Sequence, residues 1–274
     1  PWPREIFGAL VEYLKRGNAQ IIVFDMIFAE PDVMNPASDA AFARSLEGET
    51  PVLFSLVFRE TDGESMAPSY EALMQGEILK DRFSLSVFNE SPVSFGEYSS
   101  VTLPYLSILA SASGVGSINY VADPDGPSRG VYPLFLYNGA YYPSLSLASA
   151  LAACGYRPED VEITLDNDRT LHAGGLEIPL LPDGRMSIKW HGPYGTYQYY
   201  RIGDIIESML ALSRDETPRI DPQTFSGKIV VVGTTAVSLF DLRAMPFSPV
   251  YPGVELNATA IDNIINNDFI RHTS

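Results

Sequence analysis

Apolar residues early in the chain recur at Ile6, Phe7, Leu10, Val11 and Leu14, with Glu5, Glu12, Lys15 and Arg16 on the opposite side. This is a 3.6-residue period, and it predicts a helix over 4–16 that ends at Gly17-Asn18. The period then changes. Residues 19–25 predict a strand whose apolar run closes at Asp25, followed by the acidic loop Ile27–Asp32. A helix over 38–46 and a strand over 51–58 follow, so the alternation predicts α/β layering.

Residues 59–98 break this rhythm. They are acidic, poorly periodic and punctuated by Gly63, Pro68, Gly76, Pro92 and Gly96, and read as an irregular insertion. Forty structureless residues are improbable in a compact domain, so a short helix around 70–74 and a strand near 83–88 are expected inside it. Further on, 103–111 reads as a helix, 115–119 as a strand and 123–127 as a turn. Asn138-Gly139 between 131–137 and 141–142 marks a hairpin. A helix over 144–154 is expected to bury Cys154. Residues 157–190 read as a β-rich insertion, a meander broken by Asp166-Asn167-Asp168, Gly174-Gly175 and Pro182-Asp183-Gly184. A tyrosine-rich loop over 191–200, a helix over 202–212, a buried strand over 229–232 and an amphipathic helix over 254–267 complete the chain.

The expected fold class is therefore a layered α/β sandwich, with a central mixed, largely parallel sheet and a β-meander and hairpin excursion. Its central strands are 19–24, 51–58, 115–119 and 229–232. With 274 residues, 46% hydrophobic and 19% charged, a single domain with a full-sized core is expected. The formal charge of -16 disfavours nucleic acid and anionic lipid as partners. No apolar run reaches the ~18 to 20 residues of a membrane span, and no signal peptide is visible. Both ends have the look of a segment excised from a longer protein.

Candidate chemistry gathers at predicted strand ends, where open α/β sheets place ligands. Asp25 either joins a polar site with Glu30 and Asp32 or caps a neighbouring turn. Asp123-Pro124-Asp125-Gly126, with Asn119 upstream, lacks the later acid of a calcium loop and fits a rigid turn better. Gly233-Thr234-Thr235 offers backbone N–H groups, yet no Walker loop follows. Asp241 and Arg243, in a loop before Pro246, either contact a ligand or pair with each other or Glu255 to fasten that loop. Arg243 is the natural clamp for an anion. Asn257 adds an amide two residues beyond Glu255 on the same predicted helix. No metal or cofactor set is evident: His172, His191 and His272 lack ligand spacing, Cys154 has no base beside it, and Ser144 reads as a helix N-cap.

The order of motifs resembles the second CHASE family, an extracellular sensory domain of bacterial membrane receptors. The likeness is carried by Phe24–Asp32, by Gly116–Asn119 with Asp123–Gly126 and Arg129, and by Pro143-Ser144-Leu145. Gly192-Pro193 and the stretch Gly227–Gly233 through Asp241-Leu242-Arg243 to Pro252–Glu255 complete it. Met245 and Asn257 depart from the family pattern, which more often has a small polar residue and a histidine there. The resemblance implies a sensor outside the cytoplasmic membrane, tethered by membrane helices beyond this chain. The receptor's output would be a nucleotide cyclase or a histidine or serine/threonine kinase, its ligand an unknown small molecule, and the full receptor a homodimer. Two other readings stay open: a hydrolytic or metal-dependent α/β enzyme using Asp25 and Asp241, and a dimerisation domain without a small ligand.

Overall fold

Four short runs of β-branched, apolar and small residues lie side by side, and the helices between them cover both faces of the sheet they make. The computed structural model describes residues 2–60, 69–235, 242–246 and 248–270. The chain begins with α1 (Arg4–Arg16), β1 (Ile21–Asp25), α2 (Pro36–Ser45), β2 (Val52–Arg59) and α3 (Tyr70–Phe83). It continues through β3 (Ser86–Asn89), β4 (Glu97–Tyr98), β5 (Ser100–Thr102), α4 (Leu106–Ser111) and β6 (Gly114–Ser117). Next come β7 (Gly130–Val131), β8 (Leu134–Tyr137), β9 (Ala140–Pro143), α5 (Leu145–Ala153), β10 (Glu162–Leu165), β11 (Thr170–Ala173), β12 (Leu176–Pro179) and β13 (Met186–Ser187). The last part holds α6 (Ile202–Ser213), β14 (Ile229–Gly233), β15 (Leu242–Met245), β16 (Ser248–Pro252) and α7 (Gly253–Asn266).

In the central sheet β14, β1, β2 and β6 run parallel, and β5 pairs antiparallel with the far end of β2. Strands buried on both faces need apolar side chains in both directions, which is why β1 reads Ile-Ile-Val-Phe without alternation. Ile22 and Phe24 point into the larger core with α1 and α2. There Phe7, Phe24, Phe28, Phe42 and Phe54 pack with centroids 5.0 to 6.1 Å apart. Ile21 and Val23 point the other way, with Leu145 of α5.

A second sheet, ordered β12-β11-β10-β3, lies beyond α5 and α7, and the two helices are packed between the sheets. Leu147 and Leu151 of α5, Leu256, Ala260 and Ile264 of α7, and Ile163, Leu171 and Ile178 share that core. The two irregular stretches near 59–98 and 157–190 are thus joined, since β3 from the first pairs parallel with β10 from the second.

Three expectations are corrected. The helix expected at 70–74 extends to Phe83, because Leu79 and Phe83, four apart, are both buried. Cys154 is exposed: it is the residue that ends α5, where the chain turns out at Gly155 with φ of +83°. Arg243 lies on β15, not in a loop, opposite Tyr251 of β16 in an antiparallel pair.

Candidate functional site

The carboxyl ends of β1, β6 and β14 meet the first turns of α5 and α7, and two glycines allow the approach. A Cβ on Gly233 would lie 2.8 Å from Val254 Cγ2, and one on Gly116 only 2.4 Å from Leu145 Cα. Each helix therefore starts directly against a strand end. Ser144 caps α5, its hydroxyl oxygen accepting from Leu147 N–H at 3.1 Å and lying 3.0 Å from Ser146 Oγ. Between the strand ends and the helix starts is a cavity of about 20 Å³, lined by Asp25, Ser117, Asn119, Ser144, Ser146 and Asn257, with Tyr120, Tyr132 and Leu256 among its walls. That is room for about one water molecule.

Asp25 is 4% exposed and accepts a 3.1 Å hydrogen bond from Asn257 Nδ2. The backbone N–H groups in the first turns of two helices carry partial positive charge, so a carboxylate is electrostatically at home where both begin. Asn119 serves the scaffold as well as the cavity wall. Its side-chain amide donates to the Phe58 carbonyl at 2.7 Å and accepts from Phe58 N–H at 2.9 Å, taking the place of a strand residue where β6 leaves β2.

Of the residues singled out from sequence, Asp25, Asn119 and Asn257 share this cavity, while Thr234 follows Gly233 at the adjacent strand end and is half-buried. The others are placed elsewhere. Glu30 is exposed, and its carbonyl accepts from Arg4 Nη2 at 2.6 Å. Asp32, grouped with Asp25 in the sequence reading, instead accepts from Met34 N–H, Asn35 N–H and the Ser38 hydroxyl before α2, which holds its carboxyl below its ordinary range. Asp123 takes Arg185 Nη1 at 2.5 Å and Arg129 Nη1 at 3.0 Å. Burial raises its pKa, but the two guanidinium hydrogen bonds outweigh burial and hold it low. Asp125 binds Arg129 through both oxygens, so the turn is braced by arginines.

Glu255 is 1% exposed and binds the tyrosine loop. Its carboxylate accepts from Gly195 N–H at 3.1 Å, Thr196 N–H at 3.0 Å and the Tyr199 hydroxyl at 3.0 Å. Burial, then the negative Glu255, raises the Tyr199 pKa well above a free phenol. Asp241 and the side chain of Arg243 lie outside the described residues. So does the test of the enzyme reading, which needs Asp25 and Asp241 to converge. Among the described residues no three His, Cys, Asp or Glu side chains gather as a metal-ligand set, and no helix is long and apolar enough to cross a membrane.

The family model of the CHASE2 domain matches residues 1–274. The chain belongs to the CHASE2 family. No curated protein and no solved structure matches it. CHASE2 is an extracellular sensory domain family and not a catalytic one, which directs attention to cavities and to the elements they touch.

Within this CHASE2 domain, sequence reasoning missed Ser117, Ser146, Tyr120 and Tyr132 as cavity residues. A signal existed for the first two: small residues at Gly114–Ser117 and Ser144–Ser149 allow a strand end and a helix start to touch. The tyrosines arrive from loops and carry no such signal. A separate, open groove of about 440 Å³ lies between Pro31, Val33, Pro36, Asp39 and Tyr105.

Proposed function

We propose that this chain is the extracytoplasmic input domain of a bacterial membrane receptor, and that it binds a small polar ligand at the Asp25 cavity. The observation that carries the reading is the shared wall: Asp25 at the end of β1 and Gly253, Leu256 and Asn257 in the first turn of α7 line one space. That space holds about one water. Anything larger requires a wall to move, and in this reading that wall is the start of α7, so that occupancy and displacement of the last helix are one event. The ligand shifts the equilibrium by its differential affinity for the parted state.

The site's chemistry selects the ligand class. A buried carboxylate accepts hydrogen bonds and repels anions, while hydroxyls of Ser117, Ser144 and Ser146 and the Asn257 amide serve either polarity. An uncharged polyol or amide, or a small ammonium compound, fits this set. The domain then passes the displacement through α7, and through α1, to membrane helices and to a cyclase or kinase output.

The test is a thermal-shift panel of amides, polyols, ammonium compounds, anions and metal ions on the wild type and on Asp25→Asn. At least one donor-rich compound should raise the wild-type Tm, and the isosteric variant should lose most of that shift. Equal shifts in both proteins contradict the site.

A further inference from the structure

We infer that β14 is a self-association edge: two copies of this domain pair β14 with β14 antiparallel, fusing their central sheets into one. The inference is independent of the ligand reading. Among the described residues β14 is hydrogen-bonded to β1 on one side and to no strand on the other. The parity of the ladder identifies the outward groups. Ile22 donates its N–H to the Pro51 carbonyl toward β2, so Val23 and Asp25 face β14, and the register then turns Val230 and Val232 toward β1. The N–H and C=O groups of Ile229, Val231 and Gly233 point away from the sheet.

The opposite edge of the same sheet is closed. On β6 the last residue, Ser117, bridges in parallel to Ser144, which occupies the edge there. Of the two outer strands of the second sheet, β12 carries Glu177 and ends at Pro179, two features that discourage strand addition, and β3 is bridged just before its start, Leu85 to Tyr141 of β9. β14 has neither. Its sequence Ile-Val-Val-Val-Gly holds no charge, proline or bulge, and all five residues are half-buried where those of β1 are buried. An apolar edge of this kind, unpaired among the described residues, is a template for another strand.

Two features select a second copy as the occupant. Residues 226–235 contain no acid and one lysine in a chain of net charge -16, so two copies approach here without opposing carboxylates. The outward groups at 229, 231 and 233 are also symmetric about Val231. Antiparallel pairing on a two-fold axis through Val231 sets 229 against 233 of the other copy and satisfies every outward group, the self-complementarity of an isologous interface. Lys228 then faces Thr234 of the other copy as a non-hydrogen-bonded pair, with Cα atoms about 4.5 Å apart.

That register is testable by disulfide trapping in a Cys154→Ser background. Lys228 is exposed and Thr234 half-buried, so both positions tolerate replacement. Lys228→Cys with Thr234→Cys in one chain should give a covalent dimer under mild oxidation. Either single variant should stay uncrosslinked, because like positions are then about 20 Å apart at the rise of a strand. The wild-type domain should be dimeric by light scattering, with exchange of the Ile229, Val231 and Gly233 amides slowing as concentration rises. A monomer at all concentrations, with those amides exchanging at a constant rate, overturns the proposal. So does a dimer whose single-cysteine variants crosslink as well as the double, or one that protects other amides, as pairing with a different surface would.

Discussion

Asn257 Nδ2 donates a 3.1 Å hydrogen bond to Asp25 Oδ2 across 232 residues of sequence, joining the end of β1 to the first turn of α7. A donor to a buried carboxylate contributes about 1.5 to 3 kcal/mol. Asn257→Ala should lower stability by about that amount in chemical denaturation. Asn257→Asp should cost more at neutral pH, since it sets two carboxylates together. Their shared proton then has a folded-state pKa above the unfolded value near 4. The sign follows: the variant recovers stability as pH falls toward that range, and a flat profile between pH 8 and 5 contradicts the contact.

Glu255 holds the loop of residues 195–199 by its hydrogen bonds to Gly195, Thr196 and Tyr199. Glu255→Ala strands several donors at once, each costing about 1 to 3 kcal/mol if left dry. The expected result is a large fall in Tm with selective loss of amide protection over that loop. Glu255→Gln, which keeps an acceptor, should fall by less.

Gly116 and Gly76 make a matched pair of tests. A Cβ at Gly116 would overlap the Leu145 backbone, so Gly116→Ala should destabilise by about 1 to 3 kcal/mol or more. Gly76 lies within α3 with nothing within 4 Å of the added carbon. Gly76→Ala should therefore stabilise by about 0.5 to 1 kcal/mol. Calorimetry on both reads the two signs.

Asp123 sits between Arg185 and Arg129 with its side chain 9% exposed, and its folded pKa is depressed. A depressed carboxylate contributes stability above its unfolded pKa, near 4, that is lost as pH falls through the lower folded value. Asp123→Asn should be less stable than wild type at pH 7. The gap should close below about pH 4. A gap of constant size across that range would show that the arginine pairing is not the source.

Much of the fold was legible because it rests on local periodicity. α1 has the predicted bounds, since its apolar stripe runs its whole length and Gly17 stops it. The Asn138-Gly139 turn has φ of +48° and +70°, the primed geometry that this dipeptide favours. β1, β2 and β14 were found because central strands read as largely apolar, β-branched runs, whereas β6 reads Gly-Val-Gly-Ser and ends at Ser117, short of the expected 119. What was hidden is non-local. Nothing in the acidic 59–98 stretch announces that Ser86–Asn89 will pair with Glu162–Leu165. Asp25, Asn119 and Asn257 could be named as polar residues near strand and helix ends, but their sharing of one cavity depends on two glycine contacts. Glu255 was legible as functional or fastening, and its partners at 195–199 were not.

The central claim is that the Asp25 cavity takes ligand by moving the start of α7. The most direct measurement is an amide chemical-shift titration of the domain with whichever compound raises its Tm. The account predicts that the largest changes fall on Ser117–Asn119, Ser144–Ser146 and Gly253–Asn257 together. Changes centred instead on Val33, Asp39 and Tyr105, in the open groove, would contradict it.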